Sequence, residues 1–225
     1  MTSFTVEKKN VSIFPAAGPD RPVIYLNTFE EEGRQIYELA QAAGCPDFSL
    51  VAVSGLAWNH DLSPWETPSL TSAGEPFTGG GEAYLSLLTD TILPRAEEML
   101  PGPASWRGVA GYSLAGLFAV YSLYQTDRFT RGASISGSLW FPNIKEYIFS
   151  HKMKRRPDCL YFSLGDKEHK TRNSVMRAVR RNTEEIQDFY QAQGIGTVFQ
   201  LNPGNHFQNA PERTVNAIQW MVRHR

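Results

Sequence analysis

Short apolar runs rich in β-branched and aromatic residues alternate along this sequence with longer amphipathic stretches, and few architectures accommodate that pattern. The runs predict strands over 23–27, 48–53, 106–110, 132–136, 160–164 and 198–201. Helices are expected between them, over 30–43, after Gly79-Gly80-Gly81, over 114–124, over 172–193 and from Asn209 onward. A strand that passes through a helix to its next strand usually lies parallel to it, with the helix packed on the sheet. The chain therefore reads as α/β, a mostly parallel sheet flanked by helices on both faces.

Periodicity assigns the helix faces. Leu85, Leu88, Ile92, Ala96 and Met99 recur at three- and four-residue steps, with Pro94 inside the pattern and expected to kink it. Val175, Val179, Ile186 and Phe189 give the later long helix its apolar side. Gly44 closes the first helix, and Asn209 with Pro211 reads as the N-cap and first turn of the last.

One segment breaks the alternation. Residues 57–81 are polar and rich in Pro, Ser, Thr and Gly, with Trp58, Trp65 and Phe77 embedded. Irregular segments of that length in compact domains are commonly functional. Both flanks continue the same alternation, so 1–225 reads as one domain carrying a pocket-lining insertion at 57–81.

Charge narrows the class of partner. With 22 basic and 23 acidic residues the net charge is −1, which gives no electrostatic case for nucleic acid or an anionic membrane surface. No apolar run approaches the roughly 20 residues that span a bilayer, and the first residues lack the apolar stretch of a secretory signal. Cys45 and Cys159 are the only cysteines and show no metal or redox spacing. The expectation is a cytoplasmic protein with no metal site.

The chemistry concentrates at Gly111-Tyr112-Ser113-Leu114-Ala115-Gly116. A serine hydroxyl is a poor nucleophile at neutral pH, so an acyl-transfer enzyme exposes it on a sharp strand-to-helix turn and removes its proton. Small residues on either side let the strained backbone pass. Here an apolar strand enters the turn and a strongly apolar helix leaves it. The alternative is that Ser113 merely caps that helix.

Such a nucleophile needs an acid and then a histidine, each in a loop after a later strand. Gly165-Asp166-Lys167-Glu168 follows the strand over 160–164, and Pro203-Gly204-Asn205-His206-Phe207 follows the strand over 198–201. His206 is the candidate base. Glu168 is the first candidate for the acid, with Asp166 its rival and a Ser-His dyad the remaining option. His169 lies in the acid's own loop, and His60, His151 and His224 read as surface histidines.

An oxyanion hole requires two backbone N–H groups aimed at the developing charge. Leu114, at the helix N-terminus, supplies one. Thr28 or Phe29, after the strand over 23–27, supplies the other. Trp58, Trp65 and Trp140 are the candidate aromatic walls of a substrate pocket at the strand carboxyl ends, where such sheets bind ligands. Phe141 joins them.

These residues resemble the putative-esterase group of α/β-hydrolases, which includes esterase D and the enterochelin (siderophore) esterases. The resemblance runs through most of the chain. It rests on Tyr25-Leu26-Asn27, on Asp61-Leu62-Ser63-Pro64-Trp65 (the family has Asp-Leu-Thr-Pro-Trp) and on Gly79-Gly80-Gly81-Glu82-Ala83-Tyr84 leading to Leu93-Pro94. The elbow through Ala119 and Ser136-Gly137-Ser138-Leu139-Trp140 complete it. It implies the α/β-hydrolase fold and carboxylic-ester hydrolysis through an acyl-enzyme, with no metal or organic cofactor. Ser113 is then the nucleophile, Glu168 the acid and His206 the base, acting on a small-molecule ester. Two positions depart from the pattern. Leu26-Asn27-Thr28-Phe29 stands where many members have an acidic residue and glycine, and Ala115 stands where the motif has glycine.

A serine esterase is the leading expectation. Acyl transfer to an acceptor other than water would use the same triad, and a non-catalytic ligand-binding protein could be built on the same scaffold. Fold alone does not separate them.

Overall fold

The computed structural model describes residues 1–70 and 74–224. Eight strands form one sheet in the order β1 (Thr2–Val6), β2 (Lys9–Phe14), β4 (Ser49–Ser54), β3 (Arg21–Asn27), β7 (Ala104–Tyr112), β8 (Arg131–Ile135), β9 (Cys159–Gly165), β10 (Gly196–Asn202). The predicted strands are β3, β4, β7, β8, β9 and β10. Each pairs parallel with its neighbours among these six. The other two, β1 and β2, form an antiparallel hairpin that carries the sheet beyond β4. Their turn residues Glu7 and Lys8 both sit at positive φ, without the Asn-Gly signal that marks such a turn in a sequence.

Side chains alternate across the sheet and so divide the core in two. Val23, Tyr25 and Val109 face one cluster; Ile24, Leu26 and Ala110 face the other. Helices α1 (Gly33–Ala42) and α8 (Ala210–Arg223) cover the second face through Ile36, Ala40, Val215, Ile218 and Met221. The first face is covered by α3 (Gly81–Leu87), α4 (Leu93–Glu97), α5 (Leu114–Gln125), α6 (Ile144–Ser150) and α7 (Val179–Ala192). Helix α5 is buried all round from Leu114 to Tyr124, as a central helix must be.

Several local expectations are corrected. Between α3 and α4 the chain makes a π turn over Leu88–Ile92, so Pro94 falls at the start of α4, where its missing N–H costs nothing. The long helix begins at Val179 instead of 172. Asn173 Oδ1 accepts the N–H groups of Val175 and Met176 and turns the chain before it. Val175 is exposed as a result, and the buried face is Val179, Thr183, Ile186 and Tyr190. Asn209 does occupy the N-cap position of α8, but in a left-handed conformation with no side-chain cap.

The segment 57–81 contains a short helix, α2 (Trp58–Asp61), and a two-stranded ribbon of β5 (Glu66–Thr67) and β6 (Phe77–Thr78); its residues 71–73 lie outside the described part. His60, exposed as expected, holds the ribbon with Nδ1 2.7 Å from Thr78 Oγ1. Both cysteines are free and buried, and burial pushes the Cys159 thiol up to about 12 and that of Cys45 to about 11. At neutral pH both are inert thiols. Among the described residues no helix is long and apolar enough to cross a membrane.

Candidate active site

Ser113 stands between β7 and α5 with φ 60° and ψ −122°, a backbone region that non-glycine residues enter only under constraint. The constraint is visible in the sequence. A Cβ on Gly111 would lie 2.4 Å from Ala115 Cβ, so glycine two residues before the turn lets α5 double back against β7. Ala115 fills the space that a second glycine would leave empty. The Ser113 N–H is bonded to Ile135 O, and its carbonyl accepts Gly116, Leu117 and Ser138. Its hydroxyl makes no capping bond to α5, which sets aside the reading of Ser113 as a mere helix cap.

Parallel pairing brings the ends of β7, β8, β9 and β10 to one edge. There the loops after β9 and β10 present Glu168 and His206. His206 Nε2 lies 3.0 Å from Ser113 Oγ, and Nδ1 lies 2.8 Å from Glu168 Oε2. The Glu168 side chain is almost fully buried. Burial by itself raises its carboxyl, but the His206 hydrogen bond, the Gly165 N–H, the His206 charge and the Ser136 hydroxyl together hold it below the usual carboxylate range. Asp166 is elsewhere. Its Oδ1 accepts the Gly204 N–H at 2.9 Å, and it braces the loop without touching the imidazole. The rival acid is thereby corrected to a loop brace, and His169 makes no hydrogen bond to Ser113.

Leu114 opens α5, so its N–H has no partner within the helix. Of the two candidates for a second donor, Thr28 is ruled out: its N–H is bonded to Val53 O at 2.9 Å, closing the parallel ladder. Phe29 remains, with no partner for its N–H among the described residues, and it lines the same cleft as Ser113.

Two clefts meet at Ser113, His206 and Phe207. One, of about 410 Å³, is walled by Phe29, Ile36, Trp58, Phe207 and Pro211. The other, of about 480 Å³, has Trp140, Met176 and Val179 with Lys167 and Lys170. Trp58 and Trp140 thus each line one of the two clefts that share Ser113. Trp65 does not. It packs against Tyr121, Phe141 and Tyr147 and donates its indole N–H to Pro142 O. Phe141 is fully buried. Large aromatics supply apolar area wherever a core needs filling, and spacing alone does not separate core from cleft.

Sequence reasoning missed Tyr112, Ser136 and Arg213. The Tyr112 hydroxyl donates to His206 O at 2.6 Å. The Ser136 hydroxyl donates to Glu168 Oε1 at 2.7 Å, and Arg213, 2% exposed, reaches the same oxygen at 3.2 Å. One signal was available for Arg213: it lies one turn before Ala217 on the apolar face of α8, an unusual place for an unpaired cation. Among the described residues no group of His, Cys, Asp and Glu could hold a metal ion.

Comparison with known proteins is consistent over most of the chain. The family model described as Putative esterase matches residues 25–207. The uncharacterized protein YbbA of Bacillus subtilis (strain 168) is 24% identical over 213 residues, covering 89% of this chain and 85% of its own. The siderophore hydrolase EstA of Aspergillus nidulans superposes with a TM-score of 0.72 at 18% identity, covering 98% of this chain and 93% of its own. An IroE-like serine hydrolase from Shewanella oneidensis gives 0.78 at 18% identity, over 95% and 75%.

Proposed function

We propose, because this chain belongs to the putative esterase family and is a carboxylic ester hydrolase with the α/β-hydrolase fold, that it cleaves small-molecule esters through an acyl-enzyme on Ser113. The observation that carries this reading is the continuous relay from Ser113 Oγ through His206 to Glu168, at 3.0 and 2.8 Å. Ser113 Oγ attacks the ester carbonyl while its proton passes to His206 Nε2. The carbonyl oxygen becomes an oxyanion held by the N–H groups of Leu114 and Phe29. Collapse of the tetrahedral intermediate breaks the bond to the alcohol, which leaves with the proton from His206. Water then attacks the acyl carbon, gives its proton to His206, and the acid departs as Ser113 Oγ recovers it. Glu168 fixes the imidazole with Nε2 free to accept and balances the imidazolium charge.

Two clefts that share the nucleophile suit an ester with two substantial arms. Siderophore esters, suggested by likeness to a siderophore hydrolase, are the first substrates to try beside simple nitrophenyl esters. Reaction with a fluorophosphonate probe tests the nucleophile. The wild type becomes labelled and hydrolyses esters, and Ser113→Ala loses both. A wild type that stays unlabelled, or a Ser113→Ala variant that keeps its rate, removes this reading.

A further inference from the structure

We infer that Arg213 is a positioning residue that locks Glu168 and the His206 loop into one unit and sets which carboxylate oxygen faces the imidazole. Guanidinium is a planar fork with five donors and no acceptor. Arg213 Nη1 lies 3.2 Å from Tyr112 Oη, 3.1 Å from Ser136 Oγ and 3.2 Å from Glu168 Oε1. Nη2 lies 3.0 Å from Pro203 O and 3.1 Å from Asn205 O. Those acceptors sit at or just beyond the carboxyl ends of β7, β8, β9 and β10. A single side chain from the first turn of α8 therefore ties together four successive strand ends, on each of which a piece of the site is built.

Direction matters as much as attachment. The donors other than His206 converge on Glu168 Oε1: the Gly165 N–H, the Ser136 hydroxyl and Arg213. Oε2 is left to His206 Nδ1. The His206 backbone is held on both sides as well. The carbonyl before it, of Asn205, is bound by Nη2, and its own carbonyl by Tyr112 Oη, which Nη1 also reaches. The space is close-fitted. A Cβ on Gly165 would lie 2.4 Å from Gly204 O and 3.1 Å from Arg213 Nη1. Glu168 and Arg213 are both almost wholly buried, and the acceptors on Nη1 and Nη2 offset the cost of burying the guanidinium, whose Nε is left without a partner among the described residues. A lysine at 213 would keep the charge but, as a point donor on a flexible stem, could not reach both loops at once.

Action on the reaction presupposes the roles proposed above for Ser113 and His206, so the test needs a readout that does not. Proton NMR of the resting protein supplies it, through the downfield resonance of the His206 Nδ1–H bonded to Glu168, recorded beside kcat and KM for Arg213→Gln and Arg213→Lys. The charged and titratable groups that touch His206 or share a cleft with it are Glu168, Lys167 and Lys170 from the loop after β9, Tyr112 from β7 and Glu32 before α1; all are unchanged in these variants. Arg213→Gln is expected to lose or broaden the resonance and to lower kcat by roughly 100-fold with KM within about twofold, the signature of a displaced catalytic group. Arg213→Lys is expected to fall between, with kcat down about tenfold. If Arg213→Gln does not fold, Arg213→Lys decides alone. A folded variant of either kind with the wild-type resonance and kcat overturns the inference. A resonance lost while Ser113-dependent hydrolysis was never present leaves Arg213 in its role and removes the esterase mechanism instead.

Discussion

His206 Nδ1 lies 2.8 Å from Glu168 Oε2, whereas Asp166, two residues earlier in the same turn, points its carboxylate at the Gly204 N–H. The two acids therefore separate by experiment. Glu168→Gln is expected to lower kcat by roughly 10³ to 10⁴-fold, because an amide no longer selects the imidazole tautomer that leaves Nε2 free. Asp166→Asn keeps an oxygen for Gly204 and is expected to stay within about threefold, a change typical of loop adjustments. Rates on one nitrophenyl ester, normalised to fluorophosphonate-reactive sites, compare them. Equal losses in the two variants would mean that the acid is wrongly placed.

The same carboxylate makes stability depend on pH. Its folded-state pKa is held below the usual range despite burial, so the unfolded chain takes up the proton first. A lowered acid pKa contributes stability that is present above the unfolded value, near 4.3, and lost as pH falls through the folded value. Urea unfolding of the wild type and Glu168→Gln should show a gap at pH 5, where the folded-state carboxylate is charged and hydrogen-bonded. The gap should narrow below roughly pH 4.3. A gap of the same size at pH 3 and pH 5 would contradict the hydrogen-bonded carboxylate.

The tryptophans divide by role. Trp58→Ala opens the cleft beside Phe29 and is expected to raise KM several-fold for esters with a bulky apolar arm, with stability within about 1 kcal/mol. Trp65→Ala empties an aromatic cluster and orphans Pro142 O. It is expected to cost about 2–4 kcal/mol, as large aromatic truncations in packed sites do, and to leave KM unchanged. Thermal melts and saturation kinetics on both variants check the division; a KM effect at Trp65 with no loss of melting temperature would reverse it.

Legibility in the sequence followed the physics of each feature. The central parallel strands were readable because strands buried on both faces write nearly continuous apolar runs, as Val23 to Leu26 does, whereas the half-buried β10 was marked by Val198, Phe199 and Leu201. The β1–β2 hairpin was not, since Asn10 and Ser12 alternate with the buried Val11 and Ile13 instead of extending a continuous apolar run, and Glu7-Lys8 lacks the usual turn signal. Ser113, Glu168 and His206 could be picked out because each lies in a short loop directly after a strand, in fixed chain order. Arg213, Ser136 and Tyr112 could not be. Their placement depends on four loops meeting in space, and nothing in local spacing records that meeting. The choice between Thr28 and Phe29 needed the ladder itself, since only the bond to Val53 O shows which N–H is already occupied.

That choice gives the sharpest test of the oxyanion hole. Proline has no N–H, so Phe29→Pro deletes the donor while Phe29→Ala keeps it and removes only the ring. Phe29 is 64% exposed, so neither change strips the core. Phe29→Pro is expected to lower kcat by roughly 10² to 10³-fold, the usual loss on removing one oxyanion donor. Phe29→Ala should instead act on KM, through the cleft it shares with Trp58. The contrast distinguishes a backbone donor from a hydrophobic wall at one position. Circular dichroism melts guard against misfolding, because proline also restricts the backbone of Thr28, whose bond to Val53 anchors the loop. A folded Phe29→Pro variant with the kcat of Phe29→Ala would show that the developing charge is met by Leu114 and some other donor.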